Sequence, residues 1–304
     1  MNHINNGHGF KKMQISKPKP QPPILTIVST AGVGKSTLGA LFPSPIFIQA
    51  EESGAAFEKW SEDAQPDLAP RLPRARRKDK NAQCYGNQTV EMSISTKNGL
   101  LDQLRWLASE KHQYKTVVVD TVTTLNKLFE HEITESYCVD NVAEAAGGFH
   151  KGFIVAQEMH SEIVNACEAL RKKGLAIVFL AHTGLQRIKN RPDVDEYVVY
   201  SLDMHEKSVS VYANLSDAVI YIKKEEFVQG TKQDKKGNTT KYGKMVATGE
   251  RVLVTSGDGL VGFVNAKNRY KMPVEIPLKE GENPLLEYIP FFDIKEKEDE
   301  TLRD

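Results

Sequence analysis

The 304-residue chain lacks long apolar runs, a net charge and closely spaced cysteines. No stretch approaches the roughly 18 apolar residues of a membrane-spanning helix, and the N-terminal segment lacks the apolar core of a signal peptide. The formal net charge is zero at pH 7, so no overall basic field attracts nucleic acid or a membrane surface. The cysteines, Cys84, Cys138 and Cys167, show no metal-ligand spacing. These absences predict a cytoplasmic protein without a membrane partner, whose nucleic-acid contacts would come from local patches.

The ends of the chain and one internal segment have no periodic pattern. Residues 1–22 are polar and rich in proline, so we expect a flexible N-terminal arm. Residues 23–278 are predicted to form one core domain, interrupted by a polar, proline-containing insertion at 61–97 and extended by antiparallel strands at 218–264. Residues 279–304 form a C-terminal segment that ends in a charged tail.

Short apolar runs alternate with helical patterns in the first two thirds of the chain. The runs are typical of parallel strands covered on both faces, and they lie at 24–29, 45–50, 114–120 and 175–182. Apolar residues at helical spacing predict helices over 98–110, 122–137 and 151–173. This alternation predicts an α/β fold with a doubly wound, mostly parallel sheet.

The segment after the first apolar run combines glycines, a lysine and hydroxyl side chains. Glycines let successive backbone N–H groups turn inward around phosphate oxygens, the lysine reaches the β- and γ-phosphates, and a hydroxyl holds Mg²⁺. The pattern predicts a phosphate-binding P-loop, with nucleotide-binding residues Gly32, Val33, Gly34, Lys35, Ser36 and Thr37. Ser29 departs from the pattern because it stands where the first glycine is usual, and an ordinary strand–turn–helix connection is the alternative.

The strand predicted at 114–120 ends in Asp120. A carboxylate at the end of a buried strand beside a P-loop can hold magnesium through water, so Ser36 and Asp120 are the predicted metal residues. Apolar strands also often end in an aspartate that caps the next helix, and this alternative stays open. ATP and Mg²⁺ are the predicted cofactors.

The residues around these motifs resemble those of RecA-type recombinases. FIQAEE (47–52) is similar to the end of their second strand, which implies that Glu51 activates the attacking water as a general base. A helix N-terminal acid is the alternative for Glu51. FLAHTG (179–184) looks like the sensor strand, which implies that His182 responds to the γ-phosphate, although a satisfied buried histidine fits equally well.

A motif near the C-terminus resembles one that mediates contacts between RecA subunits. NAKNRYKMP (265–273) is similar to the lysine-containing motif that RecA subunits insert into a neighbour's nucleotide site. The resemblance implies that Lys267 and Arg269 act across a subunit boundary, as an arginine finger does, in a homo-oligomeric filament or ring. A solvated basic turn is the alternative.

Two further segments resemble the DNA-binding loops of that family. They are residues 147–170 and the residues that follow 184, and the implied DNA contacts are His150, Lys151, Arg187, Lys189 and Arg191. Phosphate contacts need only positioned cations, so binding would depend on salt and largely ignore sequence. The basic run at 71–80 is a further candidate for DNA phosphate contacts, and it is equally well explained as a solvated face.

The order of motifs over residues 24–278 resembles the compact RecA-like ATPases of phages that accompany single-strand annealing and recombination. The resemblance implies a RecA-like P-loop fold and an ATPase stimulated by single-stranded DNA. An annealing or single-strand-binding protein would be a further partner, and a phage-encoded protein would work in the cytoplasm of its bacterial host. One alternative is a P-loop motor or switch activated by a protein partner. Another is a small-molecule kinase, although neither an arginine-bearing lid nor an acceptor pocket is evident.

Overall fold

The computed structural model describes residues 19–84, 87–188, 195–230, 232–233, 239–241, 243–256 and 266–293. The strands are β1 (Ile24–Ser29), β2 (Pro45–Gln49), β3 (Asp67–Leu68), β4 (Arg76–Arg77), β5 (Met92–Ile94), β6 (Thr116–Asp120), β7 (Ala176–Ile188), β8 (Tyr197–Leu202), β9 (Ala218–Gln229), β10 (Lys232–Gln233), β11 (Thr239–Lys241), β12 (Lys244–Val254), β13 (Lys267–Asn268) and β14 (Glu275–Pro277). The helices are α1 (Lys35–Ala40), α2 (Thr96–Ser109), α3 (Val122–Tyr137), α4 (Gly152–Lys172), α5 (Glu206–Leu215) and α6 (Leu285–Tyr288). Short 3₁₀ turns lie at Gly54–Ala56, Glu62–Ala64 and Val142–Gly147.

A ten-stranded sheet organises the molecule, with the order β14-β12-β9-β1-β7-β6-β2-β3 along its main path. The strands from β9 to β3 in this order are parallel, whereas β12 and β14 are antiparallel additions beyond β9. The predicted α/β class, with a mostly parallel sheet and an antiparallel C-terminal extension, is confirmed. The carboxyl ends of the parallel strands meet at one edge, where open α/β sheets bind their ligands.

Helices cover both faces of the sheet, which explains the nearly continuous apolar character of its central strands. On one face, β1 side chains such as Ile24 and Val28 pack with apolar residues of α2, α3, α4 and α5. On the other face, Leu25 and Ile27 pack with α1 and with residues of the C-terminal segment, including Leu285. Among the described residues, no helix is long and apolar enough to cross a membrane.

The chain after His182 differs from its prediction. β7 was expected to end at 182, but it continues to Ile188 and forms an antiparallel hairpin with β8. α5 follows and was not predicted. Its buried side chains include Val209 and Tyr212, which give it only a narrow apolar stripe in a polar segment. Residues 189–194, between β7 and β8 in sequence, lie outside the described residues.

The predicted insertion at 61–97 contains short strands where the structure describes it. β3 adds to the edge of the main sheet beside β2, and β4 pairs with β5 in a separate two-stranded sheet. Part of its basic run is paired with carboxylates, because Arg77 Nε lies 3.0 Å from Glu135 Oε2 and Lys78 Nζ lies 3.0 Å from Glu91 Oε2. Two cations of the run are therefore paired with carboxylates of the chain itself.

The described chain begins close to the predicted end of the N-terminal arm. Pro22 is buried, and its carbonyl accepts a hydrogen bond of 2.7 Å from Arg171 Nε. Residues 1–18 of the arm and residues 294–304 of the charged tail lie outside the described residues, as do 257–265 in the extension.

Candidate nucleotide-binding and catalytic site

The connection between β1 and α1 has the backbone that a phosphate loop needs. Gly32 and Gly34 have φ angles of 73° and 108°, which lie in the left-handed region that side chains disfavour. A Cβ on Gly34 would also lie 2.5 Å from Arg251 Nη1. α1 begins directly afterwards at Lys35, so Gly32, Val33, Gly34, Lys35, Ser36 and Thr37 lie together where the parallel sheet meets its first helix.

Lys35 directs a buried ammonium group into the site. The residue is 6% exposed, and Nζ lies 3.3 Å from His182 Nδ1. Burial lowers the pKa of Lys35, while the nearby carboxylates of Asp120 and Glu51 oppose that shift. A partly desolvated cation among fixed groups is suited to bind phosphate oxygens strongly.

Asp120 ends β6 and points a carboxylate into the buried floor of the site. Ser36 Oγ and Ser53 Oγ donate hydrogen bonds of 2.9 and 2.8 Å to Oδ2. Oδ1 is buried and has no hydrogen-bond partner among the described residues, and burial raises the pKa of this carboxyl. A buried carboxylate oxygen without a donor fits a hard cation or its bound water, so Ser36 and Asp120 are suited to hold Mg²⁺.

Glu51 follows β2, the strand beside β6, and its backbone N–H donates to the Asp120 carbonyl over 3.2 Å. Thr124 Oγ1 donates to Glu51 Oε2 over 2.6 Å, and His182 Nε2 lies 3.6 Å from the same oxygen. The contact with His182, followed by the bond from Thr124 and the charge of Lys35, lowers the pKa of Glu51 to about 2 against the effect of its burial. The carboxylate is therefore ionised at neutral pH and able to accept a hydrogen bond from water.

His182 links Lys35 to this carboxylate. It lies on β7, between β1 and β6 in the sheet, and its ring touches Lys35 on one side and Glu51 on the other. Its backbone N–H donates to Thr123 Oγ1 over 2.9 Å, which holds the strand against the start of α3. The side chain is 28% exposed, so it differs from a buried core histidine.

Four residues of this site were not predicted from the sequence. Thr123 and Thr124 follow the aspartate motif, and Ser53 follows the glutamate pair, so proximity in sequence was the available signal. Arg251 had no such signal, because it reaches the P-loop from the distant strand β12 and donates to the Val33 carbonyl over 3.1 Å.

Lys267 and Arg269 lie outside this site in the single chain. Lys267 pairs with Val219 near the start of β9, toward the sheet edge opposite the P-loop. Its Nζ donates to the carbonyls of Ala213 and Asn214 over 3.1 and 2.9 Å. Arg269 Nη1 bonds Asp217 Oδ1 over 3.0 Å. Their predicted role in a neighbouring subunit's nucleotide site stays a prediction.

The residues predicted to bind DNA lie on two segments. His150 and Lys151 precede α4, in a loop where Phe149 and His150 have φ angles of 53° and 60°. Arg187 lies on the hairpin, with its guanidinium 3.7 Å from Glu196. Lys189 and Arg191 lie outside the described residues.

Comparisons with known proteins provide a family assignment. Residues 21–270 match the family described as AAA domain, and no curated protein matches the chain. A KaiC-like protein from Pyrococcus horikoshii is similar in structure, with 11% identity, a TM-score of 0.40 and coverage of 87% of this chain and 88% of that chain. The flagellar accessory protein FlaH from Methanocaldococcus jannaschii shows 9% identity, a TM-score of 0.40 and 86% coverage of each chain. Since the family match spans most of the sequence and includes the whole phosphate loop, the chain belongs to the AAA domain family and is a P-loop ATP hydrolase with an α/β fold.

Proposed function

We propose that the protein is a magnesium-dependent ATPase that binds single-stranded DNA, is stimulated by it, and assists strand annealing or homologous recombination. Lys35 and the P-loop N–H groups bind the phosphates, and Ser36 and Asp120 hold Mg²⁺, which neutralises phosphate charge when bound. Glu51 orients the attacking water, because it is an ionised carboxylate fixed by Thr124. A pKa near 2 makes it a weak base, so positioning of the water is its main contribution.

The observation that supports a DNA partner is the continuity of β7. This strand carries His182, which contacts Lys35 and Glu51, and five positions later it carries Arg187 on the projecting hairpin. A shift of the strand would therefore move the ATPase residues and the exposed hairpin together. Such a shared element can couple DNA affinity to the nucleotide state.

The hairpin presents an apolar and cationic face to solvent. Leu185 pairs with Tyr200 and Arg187 with Val198, so these four side chains lie on one face of the hairpin. Leu185, Val198 and Tyr200 are 73%, 52% and 45% exposed. An aromatic ring on which bases stack, beside a cation that contacts phosphate, is the combination that binds single strands without sequence preference.

The loop before α4 lies next to the base of this hairpin. The Phe153 ring stacks on His205, shortly after β8, with ring centroids 4.1 Å apart. Phe149, four residues earlier, is 92% exposed. Its ring adds a second stacking surface for bases close to His150 and Lys151.

The proposal is tested by measuring ATPase rate and the anisotropy of labelled oligo(dT) at increasing salt. We expect stimulation by DNA, salt-sensitive binding, and about 5- to 150-fold weaker binding after Tyr200→Ala, the range for one lost stacked base. Trp106→Ala is the matched control, since Trp106 is 49% exposed on α2 and lines a cavity with Ile46 of β2 and Leu68 of the edge strand β3. Wild-type protein that binds no DNA and shows no stimulation would contradict the proposal.

The same apolar face also supports a second function, a motor or switch ATPase activated by a protein partner. Exposed apolar patches rimmed by polar residues mark protein–protein interaction sites. The DNA titration separates the two functions, because a partner-activated ATPase would hydrolyse ATP at a rate independent of oligo(dT).

A further inference from the structure

The antiparallel extension reaches past the phosphate loop. The last residue pair between β1 and β9 is Ser29 with Ile222, and β9 continues to Gln229 beyond the end of β1. β12 pairs with this projecting part of β9. The resulting two-stranded ribbon stands beside the P-loop, on the side of β1 away from β7, β6 and β2.

A β-bulge in β12 places Arg251 against the P-loop. Ala247 pairs with Glu226 and Arg251 with Lys224, so four steps along β12 (247 to 251) oppose two along β9 (226 to 224). Bulges redirect side chains and are common beside active sites. The Arg251 guanidinium donates to the Val33 carbonyl over 3.1 Å, which is its one hydrogen bond among the described residues. A guanidinium carries five N–H donors, so it has the capacity to bind a further acceptor.

Lys224 lies directly opposite Arg251 on the neighbouring strand. Both face the same side of the sheet as the pair Ile222 and Leu253, which belongs to the apolar cluster that also contains Val33. Like charges directly opposite each other destabilise a strand pair. Neither cation has a carboxylate partner within ion-pair distance in the described part of the chain. An anion bound between them would remove the repulsion.

The position of the pair indicates which part of the nucleotide it meets. Glu51 follows β2 and Asp120 ends β6, and both strands lie on the same side of β1. These are the two residues assigned to the γ-phosphate end of the nucleotide. Lys224 and Arg251 lie on the other side of β1, across the P-loop. A triphosphate with its γ-phosphate near Glu51 therefore extends its nucleoside end toward the ribbon.

We propose that Lys224 and Arg251 form a cationic pair that binds the α-phosphate end of the nucleoside di- or triphosphate. The inference rests on the proposed nucleotide site and adds two binding residues to it. Because ATP and ADP share this end, the pair contributes equally to the affinity for both nucleotides and leaves the hydrolytic step to Glu51 and its neighbours.

The test measures dissociation constants for fluorescent ADP and ATP, with pyrophosphate as a competitor that lacks the nucleoside end. We expect Arg251→Gln and Lys224→Gln each to weaken both nucleotides by about tenfold, the loss of one charge-assisted hydrogen bond. Arg251→Lys should restore part of the loss, and pyrophosphate affinity should change little. Lys223→Gln is the control, since Lys223 is the adjacent residue and bonds Glu275 Oε1 over 2.6 Å on the other face.

Lys224→Glu separates ligand binding from a structural role. It replaces the repulsion opposite Arg251 by attraction, so the nucleotide-free protein should melt at the same or a higher temperature. Nucleotide affinity should nevertheless fall by more than in Lys224→Gln. If Arg251 only held the loop in shape, stability and affinity would change in the same direction.

Three results would overturn the inference. Unchanged ADP affinity in Arg251→Gln and Lys224→Glu would remove the pair from the site. A loss confined to ATP would place it at the γ-phosphate instead. Failure of the wild-type protein to bind any nucleotide would overturn the proposed nucleotide site as well. The first two results, in contrast, leave nucleotide binding by the wild-type protein intact.

Discussion

Glu51 and Glu52 carry the same functional group in different surroundings. Glu51 is held by Thr124 and lies beside His182 and Lys35, which keep its carboxylate ionised. The Glu52 side chain is 80% exposed, and its ion pair with Arg71 spans 4.0 Å. An exposed pair at that distance contributes little to stability. The two glutamates therefore form a natural test and control for catalysis at this position.

We expect Glu51→Gln to lower the hydrolysis rate by roughly 10²- to 10⁴-fold, the usual contribution of a positioned acid–base group. Nucleotide binding should stay within a few-fold of wild type, because the amide keeps the shape of the side chain. Steady-state phosphate release and fluorescent-nucleotide titration measure the two effects. Glu52→Gln should behave like wild type, and near-normal turnover of Glu51→Gln would assign the water to another residue.

The residues of the site differ in how far they could be predicted from sequence. Lys35 and Ser36 belong to a contiguous pattern with a known physical purpose, and Asp120 ends a recognisable buried strand. Ser53 and Thr124 act through hydrogen bonds to residues 67 and 73 positions away, to Asp120 and Glu51 respectively. Such contacts are created by the order of strands in the sheet, which periodicity does not specify.

At the scale of elements, a buried chain of hydrogen bonds connects α3, α4 and α5. Asn126 Nδ2 donates to Glu130 over 2.9 Å, which leaves its Oδ1 to accept from His160 Nε2 over 3.1 Å. The Tyr212 hydroxyl then donates to His160 Nδ1 over 2.7 Å. Burial lowers the pKa of His160 to about 3, so the ring is neutral in the folded protein.

This histidine should make folding stability depend on pH between about 6.5, its unfolded value, and the folded value of about 3. In that pH window the unfolded chain binds up to one proton more than the folded protein. The contribution of neutral His160 to folding stability is therefore fully present above the window and decreases as the pH falls through it, by up to ~1.4 kcal/mol per pH unit. Urea unfolding at a series of pH values measures the slope, which we expect His160→Gln to reduce.

Tyr212→Phe serves as the control, because it removes one hydrogen bond and leaves the histidine in place. It should lower stability by about 1–3 kcal/mol, the usual effect of a buried group losing its partner, with the pH slope retained. Histidine NMR of the wild-type protein gives the pKa directly, and a value near 6.5 would contradict the assignment.

The elements that could be predicted are those whose own apolar sequence pattern accounts for their burial. β1, β6 and α3 were located because their apolar residues form an unbroken run or a wide stripe. The second half of β7 was not predicted because exposed residues such as Leu185 alternate with partly buried ones, so it contains no continuous apolar run. α5 was not predicted because Tyr212 owes its burial to partners such as His160 on α4 and Phe179 on β7, which lie far away in sequence.

At the scale of the whole molecule, the two groups of predicted catalytic residues lie at opposite ends of the parallel strands. Lys35 and Glu51 follow the carboxyl ends, whereas Lys267 and Arg269 lie beside the start of β9. Asp217 anchors that second region through ion pairs with Arg171 and Arg269. Two copies stacked head to tail would bring these regions together, which is a heterologous contact of the kind that builds rings and filaments.

Mixing defective subunits tests this arrangement. Lys35→Ala removes the phosphate-binding ammonium group from the nucleotide site of its own subunit. Lys267→Gln removes the cation that would act in a neighbouring subunit's site, and it keeps the Arg269–Asp217 ion pair. If sites are shared, an equal mixture should regain activity at roughly one quarter of its sites, because random head-to-tail neighbours complete each other that often. A mixture of Lys35→Ala with Glu51→Gln should stay inactive, since both defects fall on the same side of the contact. Recovery in the first mixture alone requires an active site divided between subunits, whereas inactivity of both would confine Lys267 to its bonds with the end of α5.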